Sequence, residues 1–143
     1  MKSVSILPLV ALAACAMPVT DTPATGDVAA ARPPAPPRSA RNVDDFDTTT
    51  NAARQAATQA VAGGTAIGTT IATLGAPADP GIWVKTPLVT QVTQGRIQYQ
   101  GRVINAELRP SGGVAGSGSQ ISLAAMRLIA APLTGLVTLT LLR

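Results

Sequence analysis

A stretch of alternating side chains near the middle of the chain constrains the fold more than any other feature. It reads "GRIQYQGRVINAELR" over residues 95–109, and apolar and polar residues alternate at every position from Ile104 to Arg109. Side chains of a β-strand point to opposite faces in turn, so this alternation predicts a strand with one buried face. Gln100 and Gly101 suit a two-residue turn between two such strands. We therefore predict a β-hairpin whose second strand buries Ile104, Ala106 and Leu108.

The segments before this hairpin contain further strand candidates. "TAIGTTIATLG", residues 65–75, is ambiguous, because the spacing of Ile67, Ile71 and Leu74 also suits a helix. Its threonines, isoleucines and interior glycine favour a strand, which is our prediction. The next apolar segment, "IWVKTPLVTQV", predicts one or two short strands broken at Pro87.

A glycine- and serine-rich loop, residues 111–119, leads from the hairpin into a short apolar helix. Ser122 is placed to cap this helix, which we predict to run through Ala131 and to stop at Pro132. The chain then closes with "LVTLTLL", which alternates like a strand. Its predicted buried face consists of Val137, Leu139 and Leu141.

This order of elements predicts a mainly β fold with one short helix. Several strands are followed by one helix and a last strand, which fits a small β-barrel-like domain over residues 65–143. A domain of this size buries a limited apolar core and is only modestly stable alone.

The first fourteen residues have the form of a secretory signal. Lys2 gives a positive start, and residues 4–14 form an apolar run far shorter than the about 20 residues that span a bilayer. The run ends in "LAAC", residues 12–15, which resembles the lipobox of bacterial lipoproteins. The resemblance implies cleavage before Cys15 and acylation of its thiol and of the new amine. Ala16, which is not aspartate, favours the outer membrane by the same analogy.

The next two segments carry little apolar volume. Residues 15–47 contain six of the twelve prolines, including "RPPAPPR", and predict a lipidated cysteine followed by a disordered tether of polyproline II character. The acidic end of this segment, "NVDDFD", predicts a solvated turn. Residues 48–64 predict an alanine-rich helix that Asn51 can cap and Gly63 can stop.

Composition removes several classes of chemistry. The chain has no histidine, one cysteine and 13% charged residues, so it lacks the usual general base and the common zinc and iron ligand sets. The one cysteine is the predicted lipid site, which leaves no thiol for a disulfide. The net charge of +4 is spread out and aromatics make up 2%, which argues against nucleic acid as a partner. A mild basic excess suits an anionic surface such as lipid headgroups or a cell-wall polymer.

The compact part offers few candidate functional side chains. Its two carboxylates, Asp79 and Glu107, could form a glycosidase-like pair, but a turn and a polar strand face favour solvated residues. Trp83 could stack on a sugar or pack in the core, and backbone amides before the short helix could hold an anion. We predict no catalytic residue, no metal and no cofactor. The candidate ligand-binding residues are Trp83, Lys85, Arg109, Ser119 and Ser122.

Residues 101–129, "GRVINAELRPSGGVAGSGSQISLAAMRLI", resemble the double-psi β-barrel of rare lipoprotein A, a septal-ring lytic transglycosylase. The "GRV" start, the "QISLAAMRLI" segment and the closing strand match in character, which implies a double-psi-like barrel. The chain departs from this family where its catalytic groups are expected: "RPSG" replaces the loop aspartate, Ser122 or its neighbour replaces the aspartate before the helix, and the histidine has no counterpart. The resemblance therefore implies a scaffold with a vestigial glycan groove.

The wider pattern "TTIATLGAPADPGIWVKTPLV" is similar to short exported proteins of alphaproteobacteria, some of which are named D-galactarate dehydratase. That name implies a sugar-acid lyase with metal ligands and a general base, which this composition does not supply. We therefore predict a non-catalytic outer-membrane lipoprotein on the periplasmic face, with a structural or a glycan- or protein-binding role. The expected partners are the bilayer, through acylated Cys15, and peptidoglycan or an envelope protein. The alternative is an enzyme, either lytic-transglycosylase-like or a dehydratase.

Overall fold

A computed structural model describes residues 32–61 and 63–143 of the chain. The predicted signal, Cys15 and the first half of the predicted tether lie outside the described residues. Within them the chain forms three short helices and six strands. In chain order these are α1 (Val43–Phe46), α2 (Asn51–Thr58), β1 (Ala66–Leu74), β2 (Trp83–Thr86), β3 (Thr93–Tyr99), β4 (Arg102–Pro110), β5 (Ser119–Ile121), α3 (Leu123–Leu128) and β6 (Val137–Leu142).

The six strands close into a barrel in the order β1-β5-β2-β4-β3-β6. Two pairings, β1 with β5 and β2 with β4, are parallel, and the other four are antiparallel. Both parallel pairs join strands that are not consecutive in the sequence, so each requires a crossover connection. The prediction of a mainly β fold with a small barrel is confirmed.

The predicted hairpin is formed by β3 and β4. Tyr99 pairs with Arg102, and the two residues between them have positive φ, 45° at Gln100 and 81° at Gly101. Positive φ at both central positions is typical of the type I′ hairpin turn, and glycine adopts it without steric cost. The apolar face predicted for β4 is buried in the barrel core: Ile104, Ala106 and Leu108.

The ambiguous segment over residues 65–75 forms β1, a strand. Its alternation buries Thr70 and Ala72, and it leaves Ile71 54% exposed. The helical spacing that includes Ile71 therefore does not describe the buried face. Gly68 allows the connection between β2 and β3 to pack closely on β1, because a Cβ at this position would lie 3.0 Å from a methyl carbon of Leu88.

The short helix α3 closes one end of the core with Ala125 and Met126, which are both fully buried. Ser122 caps it as predicted, because its hydroxyl oxygen accepts from the Ala125 N–H. The helix ends before Ala131, because Ala130 adopts a left-handed φ of 54°. The N–H groups of Ala130 and Ala131 then donate to the Arg127 and Met126 carbonyls, which is the Schellman arrangement of a helix end.

The tether prediction is wrong from residue 32 to residue 47, because this stretch lies against the barrel. We refer to residues 32–49 as the strap. Arg32 pairs with Asp79, the Thr48 hydroxyl donates to the Pro34 carbonyl, and Ala40 is 6% exposed. The acidic end forms the short helix α1, and residues 42–45 are exposed as predicted, but the Asp47 side chain is 3% exposed and is not solvated.

Ion pairs and a helix cap hold the acidic end of the strap. Asp47 accepts from Arg54 and Arg127, both at 3.1 Å, and Arg127 also reaches Asp44 at 2.7 Å. Backbone N–H groups of Arg41 and then Asn42 donate to the Asp45 carboxylate at the start of α1 and lower its pKa below the ordinary value of 3.8. These partners explain why an acidic, proline-rich segment is ordered here.

The alanine-rich helix is shorter than residues 48–64 and is capped by Thr50 instead of Asn51. The Thr50 hydroxyl accepts from the Ala53 N–H. At the other end, the Asn105 amide of β4 donates to the Ala56 and Gln59 carbonyls, both at 3.0 Å. A barrel side chain therefore satisfies the carbonyls that are free at the end of α2.

Candidate functional site

The loop of glycine and serine between β4 and β5 forms one wall of a groove of about 510 Å³. β1 and Leu136, just before β6, line the opposite side, and Lys85 of β2 and residues 119–120 of β5 lie between them. Gly112, Gly116 and Gly118 all have φ between 72° and 87°, so the loop uses backbone geometry that other residues rarely adopt. The lining residues that carry polar side chains are Thr73, Lys85, Ser111, Ser117, Ser119 and Gln120.

Lys85 carries the one charge among the lining residues of this groove. Its backbone is fixed on both sides, because it pairs with Arg109 of β4 and with Gln120 of β5. Its ammonium nitrogen lies 5.5 Å from the centroid of the Trp83 ring, within the range of a cation–π interaction. A half-buried cation therefore sits at a defined place in the groove.

Trp83 is 1% exposed and lies beside the groove as a support rather than as an open stacking platform. Its indole N–H donates to the Asp79 carbonyl at 3.2 Å. Its ring packs so closely on Gly75 that a Cβ there would lie 2.6 Å from the ring. The guanidinium carbon of Arg109 lies 5.0 Å from the ring centroid. The indole is thus fixed by the turn before β2 and by Arg109.

Arg109 connects the two carboxylates of the barrel. It donates to Asp79 at 3.0 Å and also to Glu107. Asp79 in turn accepts from Arg32 of the strap. Guanidinium groups therefore engage both carboxylates, and neither carboxylate lines the groove beside Lys85.

The two serines proposed from the sequence are buried. Ser122 is fully buried, and its hydroxyl oxygen accepts from the backbone N–H groups of Trp83 at 3.1 Å and Ala125 at 3.3 Å. Ser119 is 7% exposed and shares a hydrogen bond of 2.8 Å with the Thr70 hydroxyl. Of the five predicted residues, Lys85 and Ser119 line the groove. Trp83 packs beside Lys85, and Arg109 lies over Trp83, but neither residue lines the groove. Ser122 joins β2 to α3.

The sequence did not indicate the apolar edge of the groove. Ile71 on β1 and Leu136 before β6 are 54% and 71% exposed, and both line it. Val114, in the loop that walls the groove, is 79% exposed. Leu136 is the first residue of "LVTLTLL" and lies outside its predicted buried face, and Ile71 belongs to a segment whose prediction as a strand did not specify an exposed position for it. Exposed aliphatic groups beside hydroxyls form a surface that can contact both the C–H and O–H groups of a ligand.

A second groove, of about 370 Å³, lies between α2, the strap and the barrel. Ala53, Ala56 and Ala57 line one side, and Arg109 and Glu107 lie at the other. Its charged lining residues are Arg32, Glu107 and Arg109; Arg109 pairs with Glu107, and Arg32 pairs with Asp79, so each of these charges already has a partner.

No group of three or more potential metal ligands occurs within residues 32–61 and 63–143. None of the helices in that part of the chain is long and apolar enough to cross a bilayer. A comparison with protein-family models, curated proteins and solved structures finds no match to this chain. The function therefore has to be inferred from the side chains themselves.

Proposed function

We propose that this protein is a non-catalytic lipoprotein of the outer membrane that faces the periplasm and binds an envelope glycan in the groove beside Lys85. The observation that carries the proposal is the lining of this groove, which combines hydroxyl and amide side chains, exposed aliphatic groups and one cation. Such a mixture matches a saccharide, whose ring presents hydroxyls at its edge and C–H groups on its faces.

The arrangement of the acidic groups supports binding without cleavage. Asp79 and Glu107 share the guanidinium of Arg109, and neither lines the groove. The chain also has no histidine. A lytic transglycosylase or a sugar-acid dehydratase needs a positioned acid or base at the ligand, and the groove lining contains neither a carboxylate nor a histidine for that step.

The anchoring part of the proposal rests on the sequence. The apolar run of residues 4–14 and the "LAAC" ending resemble the signal of a bacterial lipoprotein, with Cys15 as the acylated residue. Two or three acyl chains hold a protein firmly on a bilayer, whereas one holds it weakly. The net charge of +4 favours an anionic layer near that bilayer.

Co-sedimentation of the detergent-solubilised full chain with peptidoglycan sacculi tests the glycan-binding role. Ser111→Trp fills the groove from an exposed position of its wall, and Gln91→Trp adds the same side chain at an exposed site in the β2–β3 connection. We expect Ser111→Trp to abolish co-sedimentation and Gln91→Trp to retain it. Equal retention of both variants would contradict glycan binding in this groove.

The non-catalytic part of the proposal has its own readout. We expect the full chain to release no soluble product from sacculi and no dehydration product from galactarate. Release that is lost in Asp79→Asn or Glu107→Gln would establish the enzyme alternative.

Palmitate labelling in cells tests the anchor. Cys15→Ser should remove the label and leave an uncleaved or soluble chain. Labelling that persists in this variant would contradict acylation at Cys15.

A further inference from the structure

The charge of Lys85 has no counterpart among the described residues. These contain five side-chain carboxylates, and each has another partner. Asp44 pairs with Arg127, Asp47 with Arg54 and Arg127, Asp79 with Arg32 and Arg109, and Glu107 with Arg109. Asp45 accepts from the backbone N–H groups at the start of α1.

Arg109 is the reason that Lys85 stays unpaired. Lys85 and Arg109 are register partners on neighbouring strands, and Glu107 lies two residues before Arg109 on β4. Glu107 is the register partner of Trp83 and therefore lies diagonally across from Lys85 on the same face of the sheet. It pairs instead with Arg109, which also takes Asp79. Arg109 and Arg32 together thus balance the charges of both nearby acids and leave the lysine charge to the groove.

The ammonium group is also positioned before any ligand arrives. It lies 5.5 Å from the Trp83 ring, and that ring is held by Gly75 and by its hydrogen bond to the Asp79 carbonyl. A cation held in place loses less conformational freedom on binding than a free surface lysine does. It is half-buried, so its attraction for an anion is screened less than at an open surface.

We propose that the groove selects saccharides that carry a carboxylate, with Lys85 as the residue that recognises the anion; this inference rests on the proposed glycan-binding function. One ammonium group matches the single charge of a carboxylate, and the groove lining contains no arginine fork suited to a phosphate. Ser111 and Ser117 are exposed on the loop wall and can donate to the second carboxylate oxygen or to ring hydroxyls. The exposed side chains of Ile71 and Leu136 contact the apolar face of the ring.

Isothermal titration of the full-length chain with two matched probes tests this selection. Tetragalacturonic acid and its fully methyl-esterified form have the same rings and differ in charge. We expect the wild-type chain to bind the acid at least about tenfold more tightly than the ester, because hydrogen bonds to a charged group are the stronger ones. Lys85→Met should lose this preference, and Lys85→Arg should keep most of it.

Arg102→Met is the matched control, because it removes one positive charge from an exposed position of the β3–β4 hairpin. It should bind both probes as the wild type does. Fluorescence of Trp83, the one tryptophan of the chain, verifies that each variant is folded. Equal affinity of the wild type for both probes, no binding of the acid, or an undiminished preference in Lys85→Met would overturn the inference. Co-sedimentation with sacculi that Ser111→Trp abolishes would leave the proposed function standing in each of these cases.

Discussion

The guanidinium of Arg109 lies over the indole ring of Trp83, with its carbon 5.0 Å from the ring centroid. From this position it donates to Asp79 and Glu107. This side chain therefore covers the tryptophan and, together with Arg32, balances the charges of two acids, which leaves Lys85 as the cation of the groove. The network is only partly exposed, since the Arg109 side chain retains 17% of its accessible surface.

Arg109→Met should destabilise the barrel by roughly 1–3 kcal/mol, because two partly buried carboxylates lose a charged donor. We also expect the Trp83 emission to shift to the red as the ring becomes hydrated. Chemical denaturation followed by fluorescence measures both effects. Arg102→Met, at an exposed position outside any ion pair of the described residues, should change stability by less than about 0.5 kcal/mol. A loss of the same size in both variants would contradict a specific role of Arg109.

Gly75→Ala should disturb the same tryptophan from the opposite side. A Cβ at Gly75 would lie 2.6 Å from the ring of Trp83, so the ring or the turn has to move. Overpacking of this kind costs about 1–3 kcal/mol. Gly135→Ala is the matched control. A Cβ at Gly135 would lie 3.7 Å from its nearest neighbour, the Pro132 ring, which is an ordinary contact distance. Thermal melting of the two variants compares them, and equal melting temperatures would show that the ring does not need the space.

Ser122→Ala should be more costly than the loss of a helix cap alone. The hydroxyl oxygen satisfies the N–H of Trp83 as well as that of Ala125, and Ser122 is fully buried. An N-cap contributes about 1 kcal/mol and a buried unsatisfied donor costs about 1–3 kcal/mol, so we expect a total of roughly 2–4 kcal/mol. Ser117→Ala, at an exposed loop position, should be nearly neutral. A cost below about 0.5 kcal/mol for Ser122→Ala in urea denaturation would contradict this bridging role.

Ala130→Gly is a substitution that should stabilise the protein. Ala130 ends α3 in the left-handed conformation, with φ of 54°, where glycine avoids a steric cost of about 1–2 kcal/mol. Part of this gain is lost because glycine has more freedom in the unfolded chain, so we expect a net gain of about 0.5–1 kcal/mol. Ala124→Gly, inside the same helix, should have the opposite sign. Denaturant midpoints decide the signs, and destabilisation by both variants would contradict the Schellman ending.

Local features of the fold could be predicted from the sequence. The β3–β4 hairpin follows from strict alternation and from a turn with glycine at its second position, both of which act over a few residues. The cap at Ser122 is local as well. The predicted end of α3, Ala131, lies three residues beyond the observed end, Leu128. Ala130 ends the helix in the left-handed conformation, and alanine, unlike glycine, does not indicate this conformation in a sequence.

The strap and the groove could not be predicted, because their contacts are long-range. Asp47 meets Arg127, which is 80 residues away in the sequence, and composition alone suggested a solvated segment. The closure of β1 on β5 brings Ile71 to the edge of the loop between β4 and β5, where the carbonyl of Ile71 lies close to Gly118. A pattern of neighbouring residues cannot predict this contact, because Ile71 and Gly118 are far apart in the sequence. The sequence indicates Lys85 as a candidate ligand-binding residue. It does not indicate that Asp79 and Glu107 pair with Arg109 and so leave Lys85 without an acidic partner, because these ion pairs depend on the fold.

Arg127→Gln should loosen the strap without unfolding the barrel. The Asp47 side chain is 3% exposed and would keep only one guanidinium partner, Arg54. Asp44 would lose its partner. Loss of a charged hydrogen bond of this type raises the population of a locally opened segment by about tenfold or more. Limited trypsin digestion should therefore cleave faster after Arg38 and Arg41, and mass spectrometry locates the cuts. Arg102→Gln removes one trypsin site as well and leaves the strap ion pairs intact, so equal cleavage rates in the two variants would show that Arg127 does not hold the strap.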